Sequence, residues 1–435
     1  MLPHLLTDIP GPSSLDLAGE LKSFECRNTT YTASDWPVFW QRAEGTNVWD
    51  ADENRFLDLT SAFGVAGLGH GWSAVAMREQ SEHLIHGMGD VHPTALKIDV
   101  CRKLSAMTFE RWCGEVGKTI LSNSGFEAIE SALKTARVAT GKSGIVTFRD
   151  SYHGLGYGAL LAGGFDKFRV PVSDQLADLR TVLDFPTSPD DLERLTAQLA
   201  QLDNESTGAV LVEPIQGRGG KRVPPSDFLK TLRTWCDENG ALLIFDEIFT
   251  GFNRTGKLFA CDWDAVIPDI ICLGKSLSGG YPISACVGKS SIMDAWPEST
   301  GEALHTSTFL GNPVGCAMAS VSLDEHAKVE TSATVTSAGD WLLKLLENIN
   351  SPFVREVRGR GLMLGVELEQ PDGAPAGDLS GKILTTMLQR GIIMLADGLH
   401  GNVLSLTPPF IISEEEMQFA VAELESCLDD LLSKP

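Results

Sequence analysis

From about residue 71 to about residue 320 the chain alternates short, wholly apolar runs with longer amphipathic stretches. The apolar runs are Thr119–Ser122, Ile145–Arg149, Ala209–Glu213, Ala241–Asp246, Ile270–Leu273 and Ile283–Val287. Runs this short and this apolar read as strands buried on both faces. Stretches such as Glu127–Thr140 and Ser226–Asn239 repeat their apolar residues at helical spacing. Alternation of the two predicts a mainly parallel sheet with helices on both sides, an α/β sandwich.

Around this core we expect two further parts. Residues 1–70 read as an irregular arm, rich in Pro, Ser and Thr and pinned by Trp36, Trp40 and Trp49, followed by a hairpin over Asn47–Asp58 and a glycine-spaced loop carrying Phe63. We expect this part to pack with the small domain. Residues 71–330 form the large domain. From 331 to 435 the texture changes to a helix over about 335–349, the stretch Arg355–Leu368, a second helix, a strand-like Asn402–Leu406 and a final acidic helix, which reads as a small α+β domain.

Composition narrows the partners. A net charge of −23 argues against nucleic acid and against anionic membranes. No stretch approaches transmembrane length, and the first twelve residues lack the basic region of a secretory leader. The nine cysteines are scattered, with no metal-ligand or CxxC spacing. A cytoplasmic protein without a structural metal is expected.

Five polar stretches sit where apolar runs end, and the rim of such a sheet is where ligands bind. Lys275 follows the run Ile270–Leu273 after one glycine. It reads either as a surface lysine or as a Schiff-base lysine in a pocket of low polarity. Asp246 ends an apolar strand, where a carboxylate needs a partner. Ser124, Gly125 and Phe126 open a helix after a strand, which suits a phosphate, although Ser124 and Glu127 also read as a capping box. Tyr152 or His153 can stack on a flat ring, or can simply decorate a turn. Glu213 ends another strand, and Thr308 lies in a Gly/Pro-closed polar loop. Gly251-x4-Gly256-Lys257 imitates a phosphate-binding loop, but Leu258 stands where Ser or Thr is required, so it is set aside.

Taken together, SNSGFEAIESALKTAR, SYHG, EPIQG, FDEIFTGFNRTGK, LGKSLSGGYP, TFLGNP and VRGRGLMLGVEL resemble the class III aminotransferases of the fold type I pyridoxal-phosphate enzymes, from about Pro37 to about Ile412. The resemblance implies a large sandwich domain, a small α+β domain and pyridoxal 5′-phosphate. It implies that Lys275 forms the Schiff base and moves the proton, and that Asp246 pairs with the pyridine nitrogen. It further implies ring contacts from Tyr152, His153 and Ile248, and phosphate contacts from Ser124, Gly125 and Phe126. Thr308 of the neighbouring subunit would complete a homodimer's shared site. Phe63 and Trp36 would line the substrate pocket. The implied reaction moves an amino group from an amine or amino acid to a 2-oxo acid or aldehyde, with a racemase, epimerase or aminomutase as the alternative on the same scaffold.

Two positions depart from the family pattern. Ser405 stands where many members carry a carboxylate-binding Arg, which leaves Glu213 without its usual partner and makes Arg218 a candidate clamp. Phe249 stands where many members have a Gln that bonds the cofactor's phenolic oxygen.

Overall fold

The computed structural model describes residues 1–432. In chain order the strands are β1 (Trp40–Glu44), β2 (Asn47–Asp50), β3 (Arg55–Asp58), β4 (Gly117–Ser122), β5 (Gly144–Phe148), β6 (Arg180–Leu183), β7 (Thr207–Val212) and β8 (Leu242–Asp246). They continue as β9 (Ile270–Leu273), β10 (Ser284–Lys289), β11 (Val354–Arg360), β12 (Met363–Leu368), β13 (Ile392–Ile393), β14 (Leu395–Asp397) and β15 (Val403–Leu406). The chain divides into two compact units, Ser73–Val335 and a second made of Met1–Trp72 with the chain from Thr336 on.

The first unit holds a seven-stranded sheet in the order β4-β10-β9-β8-β7-β5-β6. Neighbours from β9 through β6 run parallel, and β10 lies antiparallel between β4 and β9. Alternate residues of each strand go to opposite cores. Leu243 and Phe245 of β8 join a cluster with Val210, Val212, Ile271 and Leu273. Leu242 and Ile244 join another with Ala128, Ile129, Ala132 and Ala136 of the helix Gly125–Thr140. This is why the runs read as continuously apolar: neither face meets water. Strand β6, Arg-Thr-Val-Leu, escapes sequence reading because it is a half-polar edge strand.

The register of the central strands sets the site. Val212 of β7 pairs with Phe245 of β8, and Asp246 pairs with Cys272 of β9. The carboxyl ends of three parallel strands therefore stop at one level. Glu213, Asp246 and Lys275 follow from those ends.

In the second unit β1-β2-β3-β13 and β11-β12-β15-β14 form two four-stranded sheets. The hairpin over 47–58 forms as expected, with Asn47 opposite Leu57. The N-terminal arm is not irregular throughout: Pro12–Phe24 is a helix. Its N-terminal amides at Ser13 and Ser14 are bonded by the carboxylate of Asp52, at 2.8 and 3.0 Å. With its capping carboxylate 38 and 39 residues away, the helix start is marked locally only by Gly11 and by Pro12 in its first turn. No helix among the described residues is long and apolar enough to cross a membrane.

Candidate active site

Asp246 is buried, and each carboxylate oxygen has a partner. Oδ1 accepts the Ile248 amide at 3.1 Å, and Oδ2 lies 2.7 Å from Nδ1 of the buried His153. His153 is thus turned onto Asp246, which leaves Tyr152 as the aromatic of this turn for stacking on a flat ring. A paired carboxylate is the form in which burial at a strand end is tolerated.

Lys275 adopts φ +37°, a left-handed conformation that is uncommon for a residue with a Cβ. Its Nζ lies 3.6 Å from the centroid of the Phe249 ring, a cation–π contact. Phe249 therefore meets the lysine with a ring face where the family pattern has a hydrogen-bonding amide. Nζ of the fully buried Lys221 is 4.7 Å from the same centroid.

Glu213 is buried, and its Oε2 has no hydrogen-bond partner. Burial first, then the charge of Asp246, hold its carboxyl well above the usual carboxylate range. Lys275 and the amides of Tyr152 and Gly217 oppose this in part.

The helix Gly125–Thr140 begins beside these groups. Ser124 is its cap: Glu127 Oε2 accepts the Ser124 amide at 2.8 Å, the Ser124 hydroxyl at 3.1 Å and the Asn123 amide at 3.0 Å. The Gly125 and Phe126 amides, in the first helical turn, have no carbonyl four residues back to donate to. A Cβ on Gly125 would meet Ile248 at 3.1 Å, and one on Gly274 would meet it at 3.3 Å. Ile248 is thus wedged between the helix start and the residue preceding Lys275. The rejected phosphate-loop mimic points elsewhere, with Lys257 lying over Trp263 at 5.1 Å.

Tyr152 is half-buried. Its ring meets Phe168 edge-on at 5.8 Å and lies under the guanidinium of Arg218 at 4.7 Å. Thr308 is exposed, on a loop held by the bond from Thr306 Oγ1 to Asp90 at 2.6 Å. Three expected substrate residues belong to the other unit. Phe63 is 69% exposed, in a left-handed run with Ser61 and Ala62. The Asp58 carboxylate fastens that run by accepting the Ala62 amide at 3.2 Å. Trp36 packs on the Val48 and Phe56 cluster. Ser405 is buried in β15, opposite Gly365 and Leu395.

These groups fit pyridoxal 5′-phosphate. An anion suits two unused amides at the start of a 16-residue helix. A flat ring suits Tyr152 and Ile248, and a protonated ring nitrogen suits Asp246. His153 Nε2 and Glu213 Oε2 are buried polar atoms still without partners. A mainly parallel sandwich with a lysine and an aspartate at adjoining strand ends defines a fold type I pyridoxal-phosphate enzyme. The chain belongs to the class III aminotransferases: the family model Aminotransferase class-III matches residues 30–428. It is 35% identical to a 4-aminobutyrate aminotransferase of Mycobacterium leprae, over 98% of each chain. It is also 35% identical to an acetylornithine aminotransferase of Methanopyrus kandleri, over 91% of this chain and 96% of that one. A crystal structure of an amine transaminase from an uncultivated Pseudomonas species, in the PLP-bound (internal aldimine) form, superposes with a TM-score of 0.85. That pair is 27% identical over 94% of this chain and 98% of the other. The protein is a transaminase, and pyridoxal 5′-phosphate is its cofactor.

Sequence reasoning missed the role of Glu247, beside Asp246. It is fully buried and ties the following loop by accepting from Thr250 Oγ1 at 2.6 Å and from the Ala260 and Cys261 amides at 2.8 Å each. Its signal was present as a second acid directly after a strand-end acid. Burial pushes its carboxyl up to about 7 from an ordinary 4.5. A carboxyl raised in the folded state contributes fully below about pH 4.5, and that contribution is lost as pH passes about 7. Glu247→Gln does not titrate, so its stability relative to wild type should rise by up to about 3 kcal/mol between about pH 5 and about pH 8. Urea denaturation across that range checks this, and a constant difference would refute it.

Proposed function

We propose that the enzyme works through Lys275, moving an amino group from an amine or amino acid to a 2-oxo acid or aldehyde. The observation that carries this reading is the shared level of Glu213, Asp246 and Lys275, fixed by the pairing of β7, β8 and β9. When bound, the cofactor supplies an electron sink for charge developing at the substrate carbon. Lys275 would hold the cofactor through its amine and would carry the proton at that carbon. Asp246, braced by His153 and the Ile248 amide, holds a proton on the ring nitrogen. Tyr152 and Ile248 flank the ring. The Gly125 and Phe126 amides, with the positive end of their helix, hold the phosphate, and capped Ser124 sets their direction. The relatives' substrates, 4-aminobutyrate and acetylornithine, carry both an amino group and a carboxylate, which supports an amino-acid donor here.

A homodimer with Thr308 reaching the neighbouring subunit's phosphate site is part of the same reading. Around Thr308, Ile85, Met88, Val91, Leu304 and Phe309 are 53 to 77% exposed. The His86 and Phe309 rings are 5.1 Å apart, and Asn312 bonds the Ile85 carbonyl, so these residues form one patch. An apolar patch of this kind supports an interface between copies. The nine cysteines are free thiols, which supports a reducing, cytoplasmic setting.

Two expectations follow from this reading. Lys275→Ala should lower turnover by about 10³-fold or more. Asp246→Asn should lose most of the activity while the protein stays folded. Turnover with a panel of amines and amino acids and a 2-oxo acid checks both, with the visible band of the wild-type enzyme followed over the same panel. A Lys275→Ala enzyme with wild-type turnover would remove Lys275 from the chemistry. A band that persists while substrate hydrogen exchanges with heavy water would point to an isomerase. For the dimer, Phe309→Glu combined with Ile85→Asp should shift the protein to a monomer in light scattering after gel filtration, with a loss of cofactor retention. An unaltered mass would place the interface elsewhere.

A further inference from the structure

In this acidic chain the arginines near Tyr152 are paired with carboxylates. Arg149 bonds Asp184 at 2.7 Å, Arg180 bonds Asp166 at 3.2 Å, and Arg222 bonds Asp150 at 3.0 Å. Arg169, whose buried Nε has no partner, departs from this pattern, and so do two exposed cations. Arg218 and Lys167 have no hydrogen-bond or ion-pair partner among the described residues. Both are exposed, and both are held by aromatic faces. The Arg218 guanidinium lies 4.7 Å from the Tyr152 centroid and 5.1 Å from that of Phe168, and Lys167 Nζ lies 4.9 Å from the Phe168 centroid. Two like charges thus share one ring with no anion between them. Burial and the charge of Arg218 both press the Lys167 ammonium below its ordinary value, a repulsion that an anion would relieve.

The pair also stands beside the candidate site. Arg218 follows Gly217, whose amide is directed at Glu213, and Tyr152 precedes His153, the partner of Asp246. The two rings hold the guanidinium, whose N–H groups have no hydrogen-bond partner among the described residues and can receive a carboxylate through two parallel bonds. Ser405, at the position where the family pattern has such a fork, has none to offer.

We propose that Arg218, backed by Lys167, forms the subsite that holds the carboxylate of the amino-acid donor and of the 2-oxo-acid acceptor. This rests on the Lys275-centred site proposed above. The ligand class is a small aliphatic carboxylate, its anionic end at Arg218 and its reacting end toward Lys275.

The test is calorimetric titration of the purified holoenzyme with glutarate, a dicarboxylate with no amino or keto group to react. Wild type should bind it. Arg218→Gln should bind it at least tenfold more weakly, and Lys167→Gln about threefold more weakly. Arg149→Gln, which removes a surface arginine already paired, should match wild type. Equal affinity in wild type and Arg218→Gln overturns the proposal, as does no binding by wild type. Inorganic phosphate binding as tightly as glutarate also overturns it, since the pair would then be a general anion patch. Failure of the underlying site is read separately, from the visible band of wild type titrated with 1-phenylethylamine, which has no carboxylate, and with amino acids. A band that responds to neither ends the site assignment. A band that responds, with glutarate binding unchanged in Arg218→Gln, ends only the carboxylate subsite.

Discussion

The site depends on a carboxylate at the end of a strand whose other residues are all apolar. Asp246 lies where β8 leaves the sheet, and a charge buried there without partners would be strongly destabilising. The Ile248 amide and His153 supply those partners. Each brings a segment with it. Through Ile248 the chain is wedged against the start of the helix Gly125–Thr140 and against Gly274. Through His153 the turn carrying Tyr152 is drawn to the same rim. This one carboxylate thereby gathers the Gly125 and Phe126 amides, the Tyr152 ring and the strand end that bears Lys275.

Strain and repulsion gather at the same rim. Lys275 keeps a left-handed backbone, and Glu213 keeps a buried oxygen with no partner. Arg218 and Lys167 both contact the Phe168 ring, and neither has an ion-pair partner among the described residues. Such features are held in place by the rigid sheet beneath them, whose two cores occupy both faces of β7, β8 and β9. A large stable frame lets a small polar site be less than optimally satisfied, which suits a site that must receive a charged cofactor and a charged substrate.

Much was legible along the chain because its causes are local. The buried strands announced themselves as apolar runs, and Lys275, Asp246, Glu213 and the helix start each sat directly after one. The misses share a different cause. The helix Pro12–Phe24 takes its capping carboxylate from Asp52 and is marked locally only by Gly11 and Pro12 at its start, and strand β6 is a half-polar edge. His153 read as one of two possible stacking rings, and only its 2.7 Å approach to Asp246, 93 residues on, shows it as that residue's partner.

By itself the sequence determined the class of fold and the family and picked out the candidate residues for the chemistry, because apolar periodicity and strand-end polar groups are properties of neighbouring positions. The tertiary structure alone decided how those residues are used. Strand register brought Glu213 level with Asp246, Phe249 came to face Lys275 instead of an amide, and Arg218 was left on Tyr152 without a carboxylate. These are relations between residues distant in the chain, set by which strands pair and which side chains the folded sheet leaves facing one another.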